Sequence, residues 1–203
     1  MTVLTVNLSA KVRRVSQGGR DWLVAPGTSI VPGVLPGSQG ALYYPPEECR
    51  NSTARWDGIP LVLYHPSADG QNVSATHPGI LDKHGIGFVR DSRFGQKLQH
   101  NFWFDVEKTR AADRRFGSNV LARLENGQPI EISTGLYTEN DVAPPGSHHN
   151  GRPYSAVARA YAPDHMAVLP DQTGACAIKD GCGVLVNKSC TCNAAPDKPK
   201  CPT

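Results

Sequence analysis

Glycine and proline stand at about every fifth position of this chain, 20 and 17 of them among 203 residues. Neither residue suits the interior of a helix. Punctuation this dense favours strands joined by turns over a bundle of long helices. Thr2–Val15 alternates apolar and polar side chains, as a strand does, and Trp22–Pro26 reads as a second short strand stopped by its proline. Gly27 to Gly40 is turn-rich and without period, and Pro45-Pro46-Glu47-Glu48 resembles the first turn of a short helix. Ile59–Tyr64 is an apolar run of strand length that delivers His65 at its end, before a polar loop to Thr76. Gly85–Val89 and Leu98–Asp105 form a predicted hairpin. Asp105 to Leu124 is the best helical stretch, with Val106, Ala111, Phe116, Val120, Leu121 and Leu124 on one face. Strands are predicted again at Ile130–Tyr137, Tyr154–Tyr161 and Asp164–Leu169, with a loop from Thr138 to Pro153.

A chain of this length forms one domain with a real core. The expected domain covers residues 1–186, and residues 187–203, rich in Lys, Pro, Cys and Asn, read as a flexible tail. About eight or nine strands and one substantial helix pack naturally as a barrel or sandwich with a helical insertion.

Apolar residues make 39% of the chain and charged residues 19%, the balance of a globular protein rather than a disordered one. The net charge is only +3, and the basic residues are scattered rather than interleaved with aromatics, which argues against nucleic acid as a partner. No apolar run reaches the roughly 18 residues of a membrane span. Residues 1–10 lack the basic leader and cleavage site of a secretory signal. The expectation is a protein kept inside a cell. Cys49 stands alone, whereas Cys176, Cys182, Cys190, Cys192 and Cys201 fall in the last 28 residues. The single residue between Cys190 and Cys192 is short for a zinc knuckle, so the cysteines are read as free thiols in a reducing compartment.

Three residues within or at the ends of strands can carry chemistry together: His65, Ser133 and His165. A serine becomes a nucleophile at neutral pH when a neighbouring base takes its proton, and the base works best when a third group fixes its tautomer. A second imidazole can fill that third place. His77, His84, His148 and His149 offer an alternative in which several imidazoles gather around a metal, but no HExxH pattern supports it. No metal or cofactor is expected.

Ile132-Ser133-Thr134-Gly135-Leu136 resembles the nucleophile strand of phage prohead proteases, and Pro60–Pro66 resembles the segment that supplies their histidine. Pro163-Asp164-His165-Met166-Ala167-Val168-Leu169-Pro170 is similar to a Pro-Asn-His-Leu-Ala segment of phage protease-like proteins and to a segment of the related herpesvirus assemblins. Order and spacing agree, with His65 68 residues before Ser133 and His165 32 residues after it. The resemblance implies an α+β, mainly β fold, a closed antiparallel β-barrel flanked by helices. It also implies an endopeptidase trimming phage scaffold and major capsid proteins inside an assembling prohead in the host cytoplasm, and a homodimer. Ser133 is then the nucleophile, His65 the base, and His165 the residue that holds His65.

The sequence departs from that family where an arginine would help to bind the oxyanion. Asp171-Gln172-Thr173-Gly174 stands there instead, leaving the Thr173 N–H and the Gln172 amide as donors. Two other readings stay open. One is a protease-like capsid component that no longer cuts, and the other is a metal-binding module built on the cysteine-rich tail. If His65 is the base, activity is expected to rise through an ordinary histidine range between about pH 5 and 8.

Overall fold

A computed structural model describes Val12–Val186. The first eleven residues of the chain, its tail, and Cys190, Cys192 and Cys201 lie outside the described residues. Within them the alternating segments become strands. β1 (Arg13–Gln17) and β2 (Arg20–Ile30) form a hairpin, as do β3 (Gly33–Gly37) and β4 (Gly40–Tyr44). The stretch expected to lack structure after Gly27 therefore carries a hairpin, and β2 runs through Pro26. A proline is tolerated there because it falls between the end of the β1 ladder at Val24 and the start, at Gly27, of the pairing with Gly183 and Val184, where its missing N–H breaks no strand pair. Its carbonyl accepts the Leu185 N–H, 2.8 Å away.

Helix α1 (Pro46–Ser52) begins at the predicted proline-acid turn, and a short 3-10 turn leads to β5 (Pro60–Leu63). A small hairpin, β6 (Ser67–Ala68) with β7 (Gln71–Asn72), and helix α2 (Pro78–His84) follow. The predicted hairpin is present as β8 (Gly85–Phe94) and β9 (Leu98–Asp105).

The long helix expected from Asp105 to Leu124 is two helices, α3 (Val106–Phe116) and α4 (Val120–Glu125). Asp105 caps the first, accepting the N–H groups of Glu107 and Lys108 at 3.1 and 3.0 Å. Gly117, in the left-handed region, ends it. Asp113 of α3 then accepts the Val120 and Leu121 N–H groups at 2.9 and 3.0 Å, so the first helix caps the second.

β10 (Glu131–Val142) is longer than predicted, and beyond it lies a tight hairpin of β11 (His148–His149) and β12 (Arg152–Pro153). The last two predicted strands are one, β13 (Ala156–Leu169), and β14 (Gly183–Val184) closes the order.

The expected closed antiparallel barrel is not what forms. The main sheet runs β1-β2-β9-β8-β5-β13-β4-β3 and is mixed. β13 pairs antiparallel with β10 along one edge, and parallel with β4 and β5 along the other. Closure would need a ladder between β10 and β14, which pairs with β2. The bridge there, Ile130↔Val184, lies just before β10, β14 is only two residues long, and the sheet stays open. The fold is mainly β, with its core around Leu61, Leu63, Ile86, Phe102, Phe104 and Ile132. Burial of such side chains at about 25 cal/mol per Å² is what holds the sheet against α3 and α4.

The free-thiol expectation is corrected at two positions. Cys176 and Cys182 form a disulfide, with Cα atoms 5.5 Å apart, while Cys49 is free and buried. The turn between them brings the two cysteines together in a way that spacing alone did not disclose.

Candidate active site

Parallel pairing of β5 with β13 places Leu61, Val62 and Leu63 beside Met166, Ala167 and Val168. The chain then turns sharply at Tyr64, whose φ of 62° is rare for a bulky residue. The Tyr64 N–H still reaches the Val168 carbonyl at 3.1 Å, and its ring meets Phe116. That turn directs His65 back toward β13.

On the other edge of β13, Ser133 pairs with Ala167 and Gly135 with His165. Two-residue alternation puts Ser133 and Gly135 on one face of β10. Gly135 has to be glycine, since a Cβ there would overlap the His165 ring.

His65 Nδ1 and His165 Nε2 are 2.8 Å apart, and His165 Nδ1 lies 2.7 Å from Asp164 Oδ2. Asp164 was not among the residues expected to take part, because neighbours in a strand point to opposite faces. Here the register slips: Gly135 pairs with His165 but Leu136 pairs with Pro163, so Asp164 is the extra residue of a β-bulge. A bulge re-aims side chains, and this one turns Asp164 onto its neighbour. The same carboxylate accepts the Ala75 N–H at 2.8 Å and the hydroxyl of Ser74. The Pro-Asp-His order was the visible signal, but only the bulge makes it a contact.

An ionised carboxylate only accepts, and this fixes every proton in the row. His165 donates from Nδ1 to Asp164, so its Nε2 accepts from His65 Nδ1–H. The lone pair of His65 is then on Nε2. Burial, with the neighbouring His165, pushes the His65 pKa down to about 4. Burial also lowers His165, against the opposing pull of Asp164. Burial alone would raise Asp164, but hydrogen bonds from Ser74, His165 and the Ala75 N–H hold it below the usual carboxylate range. At neutral pH the row is therefore two neutral imidazoles ending on one carboxylate.

His65, His165, Asp164 and Ser133 line one cavity of about 430 Å³, whose far wall is the β3–β4 turn. Ser133 Oγ makes no hydrogen bond to His65 among the described residues, an arrangement common before substrate closes a site. Gln172 and Thr173 are exposed on the turn after β13 and do not line this cavity, whereas Ala175 does. His84 hydrogen-bonds the Leu63 carbonyl at 3.1 Å and stacks on Phe116, and His148 and His149 lie on β11, so these histidines do not converge. Among the described residues no group of three His, Cys, Asp or Glu side chains is placed to hold a metal.

No protein-family model, no curated protein and no solved structure matches this chain.

Proposed function

We propose that this chain is a serine endopeptidase, with Ser133 as nucleophile, His65 as general base, and His165 and Asp164 holding the base in its reactive tautomer. The observation that carries the reading is the unbroken row from His65 through His165 to Asp164, in one cavity with Ser133. In this mechanism Ser133 Oγ attacks the scissile carbonyl carbon and its proton passes to His65 Nε2. The imidazolium that forms donates through Nδ1 to His165, and the Asp164 carboxylate stabilises its charge through that ring. The tetrahedral intermediate collapses as His65 returns the proton to the leaving amine, and water repeats the sequence on the acyl-enzyme.

The segments Ile132–Leu136 and Pro163–Pro170 support a place in capsid maturation, with scaffold and major capsid proteins as substrates and a homodimer as the working form. A second reading, a capsid component that keeps this architecture without cutting, draws support from the missing arginine after His165.

Labelling with a fluorophosphonate, followed by intact mass, decides between them. One adduct on the wild type, lost in Ser133→Ala and His65→Ala, is the expected result. A folded wild type that takes up no label refutes the enzyme and leaves the non-cutting capsid component.

A further inference from the structure

Attack by Ser133 turns the substrate carbonyl into an oxyanion, and a hydrolase of this kind needs a fixed donor aimed at it. Among the described residues no lysine or arginine lines the cavity, which favours a main-chain donor. We propose that the main-chain N–H of Ala175 is the oxyanion donor, held in place by the turn that the Cys176–Cys182 disulfide closes. The assignment rests on the serine-protease reading and replaces the arginine that the sequence lacks.

Three observations converge on Ala175. First, it lines the main cavity together with Ser133, and a second cavity of about 20 Å³ shares Tyr44, Ser133, Thr134 and Ala175 with it. That space is about the size of one water, and so of one oxygen atom.

Second, the segment is pinned on both sides. Gly174 packs so closely on the Ile132 carbonyl that any Cβ would overlap it, which fixes the main chain against the nucleophile strand. Glu131, two residues before Ser133, accepts the Gly174 N–H at 3.4 Å and the Ile178 N–H at 3.0 Å. The Cys182 N–H bonds the Ala177 carbonyl at 3.1 Å, and the disulfide ties the ends of the turn together.

Third, the Ala175 N–H has no acceptor among the described residues, while the neighbouring Gly174 N–H is used. Ala175 is half-buried as a residue, and a buried N–H left unpaired would cost about 1–3 kcal/mol. An oxyanion supplies the missing partner only while the reaction runs. The carbonyl π pair moves onto oxygen as the Oγ–C bond forms, and returns as the C–N bond breaks.

The test replaces the amide at position 175 by an ester, through incorporation of lactic acid into the full-length chain, and does the same at Thr173 with its α-hydroxy counterpart. Ser133-dependent turnover of p-nitrophenyl acetate is the readout. The ester at 175 is expected to lower kcat about 100- to 1,000-fold with KM little changed, while the ester at 173 leaves kcat within about twofold. Wild-type kcat in the 175 ester overturns the assignment, as does loss in the 173 ester alone. A second measurement needs no altered backbone. When 2-phenylethylboronic acid adds to Ser133 of the wild type, the Ala175 amide proton is expected to move downfield, and a shift at Thr173 in its place overturns the proposal. Wild type that takes no fluorophosphonate label refutes the protease reading itself, and the donor assignment falls with it. Labelled wild type with an active 175 ester refutes the donor alone.

Discussion

Replacing Asp164 by asparagine removes one charge and leaves the hydrogen bonds in place. Oδ2 accepts from both the Ala75 N–H and His165 Nδ1–H, and an amide NH2 cannot face two donors. The asparagine carbonyl oxygen must therefore take that position, and its NH2 turns toward Ser74 Oγ, which accepts as readily as it donates. His165 keeps its tautomer. What is lost is the attraction between the carboxylate and the imidazolium forming on His65. Two hydrogen bonds of 2.7 and 2.8 Å with a ring between them set these charges about 8 Å apart. At an effective dielectric of about 20 the attraction is about 2 kcal/mol, which is about thirtyfold in rate. The assay is Ser133-dependent turnover of p-nitrophenyl acetate from about pH 3 to 8, a span that reaches below the depressed His65 value of about 4 and above the ordinary histidine range. Asp164→Asn is expected to lose about thirtyfold in kcat/KM at neutral pH. It should also move the acidic limb to lower pH, because the carboxylate favours the charged ring. Asp164→Ala, which frees the His165 ring as well, should lose more. Asparagine activity within about threefold of wild type, with an unmoved limb, would refute the electrostatic argument.

Wild-type activity should be level across neutral pH and fall only toward about pH 4, since burial and His165 keep the His65 ring neutral until then. An inflection at the ordinary histidine value near 6.5 would contradict this, and so would correct the site rather than the sequence expectation. Gly135→Ala should cost about 100-fold in kcat, because the His165 ring must move by about an ångström. Wild-type rates there would mean the ring does not need that position. Stability should fall on acidification from about pH 6.5, because the unfolded chain takes up protons there. Folded His65 and His100 resist them down to about 4 and 3. Urea titrations that give a pH-independent unfolding free energy over that window would contradict it. Replacing Cys176 and Cys182 together by serine should cost about 2 kcal/mol, the chain-entropy value for so short a loop. An unchanged urea midpoint would show the bridge to be energetically idle.

Much of this site was legible in the residue pattern, and what was not has identifiable physical causes. The apolar run Ile59–Tyr64 announced a strand that delivers His65 at its end, and the structure places that strand at Pro60–Leu63. Ser133 and His165 fell on predicted strands that do pair. Asp164 stayed hidden because alternation assigns adjacent residues to opposite faces, and only a slipped register reverses that. Gly117 was visible, but a helical face continued past it, so Asp113 as the cap of a second helix could not be seen. Barrel closure was inferred from resemblance, and it depends on pairing between distant strands. Two-residue β14 left no periodic trace and cannot supply that pairing.

Tyr64 carries a cost of another kind. Its left-handed φ is a conformation that glycine or asparagine adopts with less strain, at a penalty of about 1–2 kcal/mol for an ordinary side chain. Glycine here would relieve that strain, at the cost of the ring's contact with Phe116, and would loosen the turn. The released turn would no longer aim the next residue, and the His65 ring would wander from its partner. On the serine-protease reading, the strain at Tyr64 is what keeps the base in line, so a substitution that relaxes this turn is expected to lower activity even where the fold tolerates it.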